Sequence, residues 1–369
     1  MKYHQNDHAL AQKILDYSVG LKVGEKIMLQ LTGLNGIGLM RALVEETRKR
    51  KAHPFVRVQD TEVMRLLTEL GDADFWQNQT DVEQLPLMKQ MDAFVGVRAS
   101  ENIYETADVS KEKNKLFADH YLKPVHLQER VKNTRWTVMR YPSPAFAMNA
   151  KMPTERFEKF YYDACLLDYS KLKEALNPLE ERLRKADEVH LKGEGTDIKL
   201  SIKGQEWIPC VGERNIPDGE IFTSPVIDSV NGEITYAPSV YQGKPFEYVW
   251  LKVKDGVVQD FDSSNNEALE GILDTDEGAR RFGEFAIGVN PIISQPMYDI
   301  LFDEKIYGSI HLTLGQAYDL APNGNDSSIH WDLVCIGSDL ILDGEKIREG
   351  RKYITEDLKP LNPENLLAD

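Results

Sequence analysis

The sequence is poor in cysteine, and its three cysteines lie far apart. Cys165, Cys210 and Cys335 form no CxxC pair. A disulfide framework and a zinc site made of thiolates both need paired or clustered cysteines. The scarcity argues against both and fits a reducing compartment, so we expect a cytoplasmic protein.

Long apolar runs and an excess of basic residues are also missing. No apolar run approaches the roughly 18 residues that a membrane-spanning helix needs, and the first twenty residues lack the apolar segment of a secretion signal. The 44 Lys and Arg are outnumbered by 60 Asp and Glu, which gives a net charge of −16. Such a surface repels phosphate backbones. We therefore expect neither a nucleic acid nor a membrane as partner.

The 369 residues predict two domains, because one domain usually has about 100–200 residues. In the first half, short apolar runs alternate with helical stretches, a pattern typical of a mostly parallel sheet with helices on both faces. We predict an α/β domain over 1–186. Its strands are expected at 24–30, 55–58, 93–97 and 136–140, with helical stretches at 36–49 and 153–186.

In the second half the turn-forming residues follow a different pattern. Asp-Gly or Asn-Gly pairs stand between apolar or alternating runs, and such pairs favour the tight turns that join antiparallel strands. A helical stretch is expected at 266–282. We predict an α+β, antiparallel-rich domain over 187–369. The pairs begin at Asp218, Asn231, Asp255 and Asp343.

Two local motifs have a plain structural interpretation. Gly33, Gly36 and Gly38 follow a predicted strand and open a helix, where a dinucleotide-binding loop would lie, but their order is wrong for GxGxxG. An ordinary tight turn is the better interpretation. His4 and His8 have helical i,i+4 spacing and could hold a metal, yet a solvated surface near the terminus is the simpler prediction.

Several metal-ligating side chains lie on predicted strands of the second half. In the alternating segment 305–315, His311 falls on the polar face. His330 and Asp332 are two residues apart, so on a strand both point to one side and could share a metal. By itself, a hydrogen-bonded surface pair is the commoner explanation of that spacing.

Two glutamates complete the set. Glu284 lies opposite the apolar side chains of its segment, although pairing with Arg280 or Arg281 is an alternative, and Glu220 follows the tight turn at Asp218. Carboxylate and imidazole ligands without cysteine suit a pair of divalent ions that share a bridging carboxylate. Zinc, cobalt or manganese would be tolerated by such ligands.

The segments GEIFTSP, DEGARRFGEFAIGVN, DEKIYGSIHLTLG and SSIHWDLV, in this order, resemble those of the aminopeptidase T, aminopeptidase S and PepS family of metallopeptidases. The resemblance implies a homodimer that releases N-terminal residues from peptides with a free N-terminus, using a water activated by two metals. It implies Glu284 as the bridging and catalytic carboxylate and Tyr318 as a further ligand and oxyanion donor. The implied metal ligands are Glu220, Glu284, His311, Tyr318, His330 and Asp332.

Alternatives stay open from the sequence. The same ligands would serve a metal-dependent dipeptidase or another amidohydrolase, and they could also serve stability alone. The glycine turn leaves a nucleotide-binding α/β enzyme as a further possibility. The general base cannot be named from the sequence.

Overall fold

The structure is a computed structural model that describes residues 4–241 and 243–368. The chain divides into two compact units. The first comprises Met1–Leu166 and Gly212–Pro217, and the second comprises Leu167–Val211 and Asp218–Asp369. The helix Tyr169–Lys185, which the sequence placed in the first domain, thus belongs to the second unit. The division into domains 1–186 and 187–369 stays a prediction, and its outer ends, residues 1 and 369, lie outside the described residues.

The first unit has a five-stranded sheet whose pairings are all parallel. Every predicted strand is present, with ends that differ by at most two residues. The fifth strand lies in Gly212–Pro217, the later segment of the chain that belongs to this unit. In spatial order the strands are His53–Gln59, Lys26–Thr32, Ala93–Arg98, Arg135–Arg140 and Asn215–Ile216.

Helices connect these parallel strands, as a parallel sheet requires. The predicted helix at 36–49 is confirmed as Ile37–Lys49, and the helical stretch that begins at 153 contributes Thr154–Cys165 to this unit. The other α-helical segments are Asp7–Lys13, Thr61–Leu70, Ala73–Gln79, Leu85–Met88, Lys111–Phe117, Val131–Asn133 and Pro144–Asn149. A 3₁₀ turn spans Leu34–Gly36, and wider π-type turns span Ile14–Ser18, Thr80–Gln84 and Ala118–Arg130.

The second unit contains an eight-stranded antiparallel sheet. Two of the predicted turns, at Asp255 and Asp343, form its tight hairpins, and both aspartates have positive φ. Asn231 instead begins a strand. The next residue, Gly232, lets the backbone of Asp197 approach closely, since a Cβ would lie 2.1 Å from its carbonyl oxygen. The strand order is Val257–Ser263, Val249–Lys254, Asn231–Tyr236, Thr196–Ser201, Glu188–Gly193, Asp339–Leu342, Glu345–Glu349 and Lys352–Tyr353.

A six-stranded antiparallel sheet in the same unit carries the candidate site. Its strands follow in the order His330–Trp331, Ser309–Gly315, Phe282–Gly288, Glu220–Thr223 and Ile208–Cys210, and Val334–Ile336 also pairs with Ser309–Gly315. The parallel-sheet and antiparallel-rich fold class predicted from the sequence is therefore confirmed. The unit also has a two-stranded ribbon, Ser239–Tyr241 with Lys244–Phe246, and the helical segments Tyr169–Lys185, Asn266–Leu273, Glu277–Arg280, Ile300–Asp303, Lys359–Leu361 and Pro363–Leu366.

Two details differ from the sequence prediction. The helix predicted at 266–282 ends at Leu273, because Asp276 caps a separate 3₁₀ turn and the next strand begins at Phe282. The strand Ser309–Gly315 is buried at every position, on its polar face as well as its apolar one. Its polar side chains therefore need partners inside the protein.

None of the helices in the described part of the chain is both long and apolar enough to cross a membrane.

Candidate metal centre

Three polar side chains meet on the two central strands and their neighbour. Ala286 pairs with His311, and Gly288 pairs with Glu220, so this register places His311 diagonally between Glu284 and Glu220 on one face of the sheet. His311 Nε2 lies 3.2 Å from Glu284 Oε1 and 3.4 Å from Glu220 Oε2. All three residues are at most 5% exposed. A buried imidazole between two carboxylates is a costly arrangement that favours a functional site.

The His-x-Asp pair joins this group from the edge strand. His330 Nε2 lies 3.2 Å from Asp332 Oδ1 and 3.3 Å from Glu284 Oε2. The predicted spacing therefore brings both side chains to one side, and it brings them to the second oxygen of Glu284. The alternative partners of Glu284 are excluded, because Arg280 pairs with Asp274 and Arg281 pairs with Asp228.

The five side chains thus form two triads with one shared member. Glu220, Glu284 and His311 make a deeply buried triad, while Glu284, His330 and Asp332 make a second, partly exposed one. In each triad the potential ligand atoms lie within 4.8 Å of one another. Each Glu284 oxygen faces a different histidine, which is the arrangement of a carboxylate that bridges two ions.

The distances and directions in the second triad fit a metal better than hydrogen bonds. Donor atoms bound to one tetrahedral zinc ion at its usual ligand distances lie about 3.3 Å apart. The contacts of His330 Nε2 have this length, yet within the described part of the chain the atom has no hydrogen-bond partner of acceptable geometry. His330 Nδ1 lies 2.8 Å from the Gln316 carbonyl oxygen. Donation to that carbonyl leaves the Nε2 lone pair free for a cation.

The ionisation of the site shows the same attraction for positive charge. Burial alone would lower the pKa of an imidazole, but the carboxylates prevail. Glu284 and Glu220 raise the pKa of His311 to about 9, and Asp332 raises the pKa of His330 to about 11. Burial raises the pKa of Asp332, but the charge of His330 outweighs it, so the pKa of that carboxyl falls below its usual range. In the protein alone, protons on the imidazoles supply the charge that divalent cations would supply.

Tyr318 lies at the exposed side of the second triad. Its ring centroid is 4.5 Å from that of His330 and 5.7 Å from that of Phe222, and the residue is 45% exposed. The structure therefore places Tyr318 beside one of the predicted ligands.

Sequence reasoning missed a buried lysine in this site. Lys305 has no exposed surface, and its ammonium contacts the carboxylates of Glu220, Glu304 and Asp218, the last two at 2.8 and 3.5 Å. A single lysine after two acidic residues has no pattern that distinguishes it from a surface charge. Cys210 lies near Asp218 and Glu220, but burial raises the pKa of its thiol well above the usual value, so it stays neutral. The three cysteines are free, as expected.

Asp276 holds together the two loops that lead into the site. It caps the turn before the Glu284 strand by accepting a hydrogen bond from Ala279 N, at 2.9 Å. It also accepts from Ser327 Oγ and from Ser328 N, both at 2.7 Å, in the loop before His330. These donors, led by the backbone N–H of Ser328, lower its pKa to about 2.

We expect Asp276→Ala to lower the free energy of unfolding by about 1–3 kcal/mol at neutral pH, because a cap and three further hydrogen bonds, including one from Ser328 Oγ, are lost. Since the folded pKa is depressed, this contribution is present above the ordinary aspartate pKa and is lost as the pH falls through about 2. The difference from the wild type should therefore shrink between about pH 4 and pH 2. Denaturant unfolding at several pH values would measure it. Arg280→Ala, which removes a surface pair, is the control and should cost about 0–1 kcal/mol.

The glycine turn at Gly33 and the histidine pair His4 and His8, which could have held other ligands, have structural explanations. The conformation of Gly33 has φ +84°, and a Cβ there would lie 2.3 Å from the Ala99 carbonyl oxygen, so packing against the neighbouring loop requires glycine. Leu34 N donates to the Glu101 carboxylate at 2.9 Å, so a negative charge already lies at this turn. His4 stacks on Tyr162 and His8 lies against Glu45 and Glu46, so the two histidines do not converge on one point.

Comparison with known proteins shows which family the chain belongs to. Residues 4–357 match the family of thermophilic metalloproteases, M29. The chain belongs to that family. The resemblance inferred from the four motifs is thereby confirmed. Aminopeptidase 2 of Geobacillus stearothermophilus is 38% identical over 150 residues, which are 35% of this chain and 36% of that protein. Aminopeptidase T of Thermus aquaticus is 33% identical over 202 residues, 45% of this chain and 49% of that protein. The matched segments span less than half of either relative.

Solved structures extend the likeness of fold to nearly the whole chain. Wild-type AmpT from Thermus thermophilus has a TM-score of 0.80 at 21% identity and covers 96% of this chain and 100% of its own. The 2,5-dihydroxypyridine dioxygenase from Pseudomonas putida KT2440 has a TM-score of 0.61 at 13% identity, with 95% of this chain and 98% of its own covered. Since a peptidase and an oxygenase share this fold, the reaction has to be argued from the site.

Proposed function

We propose that this chain is a metal-dependent aminopeptidase that removes N-terminal residues from peptides with a free N-terminus. The proposal includes two divalent ions, zinc, cobalt or manganese. Glu220, Glu284 and His311 would hold one ion, and Glu284, His330 and Asp332 the other. The observation that carries it is the shared position of Glu284, each of whose oxygens faces a different histidine.

The formal charge of the buried site supports the number of ions. Cations in both triads favour the ionised form of the carboxylates around them, including Glu304, whose pKa burial raises to about 8 in the protein alone. Once ionised, the five carboxylates in and around the triads carry five negative charges, and the ammonium of Lys305 cancels one of them. The four that remain equal the charge of two divalent cations. Buried charge is tolerated only when it is balanced, so one ion would leave this site short of positive charge. The carboxylates are those of Asp218, Glu220, Glu284, Glu304 and Asp332.

In this proposal the chain's own residues position the reaction. When bound, divalent ions would activate a water and polarise the scissile carbonyl. The Gln316 carbonyl fixes the tautomer and direction of His330. Tyr318, beside His330, would donate a hydrogen bond to the oxyanion of the tetrahedral intermediate. The burial of Glu220 and His311 closes one side of the site, which favours cleavage near a chain end.

The rival functions predict different substrates. A dipeptidase would cut dipeptides and leave longer peptides intact, and a purely structural metal site would cut nothing. A nucleotide-binding enzyme would bind a nucleotide at the glycine turn, where Glu101 already provides negative charge. A homodimer, which the family resemblance implies, and a cytoplasmic location, which the scarcity of cysteine suggests, also stay predictions.

We expect chelator-stripped protein to be inactive on aminoacyl fluorogenic amides and on a pentapeptide. Activity should return when zinc, cobalt or manganese is added, because both triads need a cation to act on a carbonyl. Metal content per chain, measured by mass spectrometry, should approach two at full activity. The same pentapeptide with an acetylated N-terminus is the control and should stay intact.

The outcomes separate the candidates. Cleavage of dipeptides alone would assign the chain to the dipeptidases, and cleavage of the acetylated peptide would rule out a requirement for the free amine. Two bound ions without hydrolysis of any peptide would contradict the proposal.

A further inference from the structure

A cavity of about 130 Å³ adjoins the partly exposed triad and includes His330 and Asp332 in its lining. Its other walls come from the ribbon that begins at Ser239, from the turn before Ile300–Asp303, and from the edge strand of the site sheet. Most of these side chains are apolar or aromatic. They include Val240, Tyr241, Tyr298, Ile300, Trp331 and Val334.

We propose that this cavity receives the side chain of the substrate's first residue and selects an aliphatic or single-ring aromatic group. The inference rests on the proposed aminopeptidase function, since only then does a side chain lie next to the metal ligands. It assigns Tyr241, Tyr298 and Trp331 as specificity-determining residues.

The size of the cavity sets the class of side chain. An apolar cavity of roughly 150 Å³ holds one benzene molecule. A volume of about 130 Å³ is slightly smaller, so it suits leucine or methionine and takes the ring of phenylalanine only as the largest group, at the side that opens toward the metal ligands. The double ring of tryptophan exceeds it, and glycine or alanine would leave most of it unfilled, which forfeits the energy of burying apolar surface.

One wall of the cavity is fixed by aromatic packing. The Tyr241 ring stacks on Trp331 with centroids 4.9 Å apart, and Phe246 packs on Trp331 at 5.0 Å. Trp331 Nε1 also donates to Ser239 Oγ at 3.2 Å. Because these contacts tie the ribbon to the strand that carries His330, the wall keeps a constant distance from the metal ligands.

Another wall of the cavity carries local backbone strain. Tyr298 has φ +58°, in the left-handed region that a tyrosine rarely adopts. The turn is held by Asp303, whose carboxylate accepts a hydrogen bond from Met297 N at 2.5 Å. Strain of this kind costs about 1–3 kcal/mol and is concentrated at binding sites, where the surrounding structure maintains it. Here it places Tyr298 in the cavity lining.

The charge of the lining favours apolar over basic side chains. Two carboxylates line the cavity: Asp332, which is a proposed metal ligand, and Asp303, which is the one left to attract lysine or arginine. Asp303 is 6% exposed, its oxygen is already used by Met297 N, and burial raises its pKa to about 8. A mostly neutral, hydrogen-bonded acid is a poor partner for a cation.

The experiment compares first residues with a constant leaving group. Metal-loaded protein is given amides of glycine, alanine, leucine, phenylalanine, tryptophan and arginine, and kcat/KM is measured for each. We expect kcat/KM for the leucine and phenylalanine amides to exceed kcat/KM for the glycine, tryptophan and arginine amides by about tenfold or more. A second series keeps leucine first and varies the second residue, and it should show a smaller spread.

Two variants of opposite effect test the cavity directly. Tyr298→Ala enlarges the cavity and should raise the ratio of kcat/KM for the tryptophan amide to that for the leucine amide about tenfold. Ile300→Phe fills the cavity and should lower the ratio of kcat/KM for the leucine amide to that for the alanine amide by a similar factor. Tyr248→Ala removes a partly exposed tyrosine elsewhere in the same unit and is the matched control, with ratios like those of the wild type. Metal content confirms that each variant is folded.

The possible failures are distinguishable. If no amide is cut although two ions are bound, the aminopeptidase proposal fails. If amides are cut but arginine is preferred, or both variants leave the first-residue ratios unchanged, the cavity assignment is wrong. A change confined to the second-residue series would likewise overturn it, because the cavity would then serve the other side of the scissile bond.

Discussion

Replacing Glu284 with glutamine is expected to reduce kcat/KM by at least about 10³-fold, which corresponds to about 4 kcal/mol of transition-state stabilisation. Glu284 is the one side chain that belongs to both triads. Its amide counterpart has nearly the same shape but no charge, and only one of its two terminal atoms can accept. One candidate metal position therefore loses its ligand and the other keeps only a neutral oxygen, so a single substitution weakens both positions, which no other member of the site would cause.

Metal content provides a readout that does not depend on activity. We expect the Glu284→Gln protein to bind fewer than two ions per chain in equilibrium dialysis against zinc, while its circular dichroism stays that of the wild type. Glu233→Gln, on an exposed strand position of the same unit, is the control and should leave both properties unchanged. Wild-type turnover in Glu284→Gln would remove the basis for the bridging assignment.

The architecture of the site was predictable to the extent that it depends on strand periodicity. His330 and Asp332 are two residues apart, and a strand necessarily turns both side chains to one side. Glu284 and His311 lie on the polar faces of two alternating segments that could pair only if those segments were neighbours. The motif resemblance implied that the two segments share a metal site and hence lie close together. In the structure their strands are paired, with Ala286 opposite His311.

What the sequence could not show is how the polar faces are covered. Alternation predicts one apolar and one polar face, but it does not say whether the polar face meets water or a second layer of protein. In Ser309–Gly315 every position is buried, so His311 is an internal group with internal partners. The burial of Lys305 is likewise a tertiary effect, because it depends on the turn that carries Lys305 packing against Asp218. No local pattern encodes such a tertiary contact.

The helix predicted at 266–282 illustrates a second limit. Its apolar spacing ends at Leu273, and Asp276 then accepts from Ala279 N and from the distant residues Ser327 and Ser328. This cap begins a separate 3₁₀ turn, and two of the residues that fix it are 51 and 52 positions away in the sequence, so a local pattern does not show the full set of contacts. The same cap sets the entrance of the Glu284 strand.

Lys305→Met is expected to destabilise the metal-free protein by about 3–5 kcal/mol, the usual cost of removing one partner from a buried ion pair. The methionine preserves the volume of the lysine stem but leaves Asp218, Glu220 and Glu304 without their shared cation. Denaturant unfolding of stripped protein would measure the loss. Lys199→Met, which breaks an exposed pair with Glu188, is the matched control and should cost about 0–1 kcal/mol.

A second substitution shows whether the loss is electrostatic. Burial raises the pKa of Glu304 to about 8, so this carboxyl is charged only in alkaline solution. If unpaired charge causes the loss, adding Glu304→Gln to Lys305→Met should recover stability increasingly as the pH rises above about 8, because one of the three stranded carboxylates is then neutral. Adding saturating zinc should recover more, since a cation beside Glu220 compensates the same charge. If Lys305→Met differed from the wild type by less than about 1 kcal/mol, the ammonium would not be balancing the site, and the charge argument for two divalent ions would lose its basis.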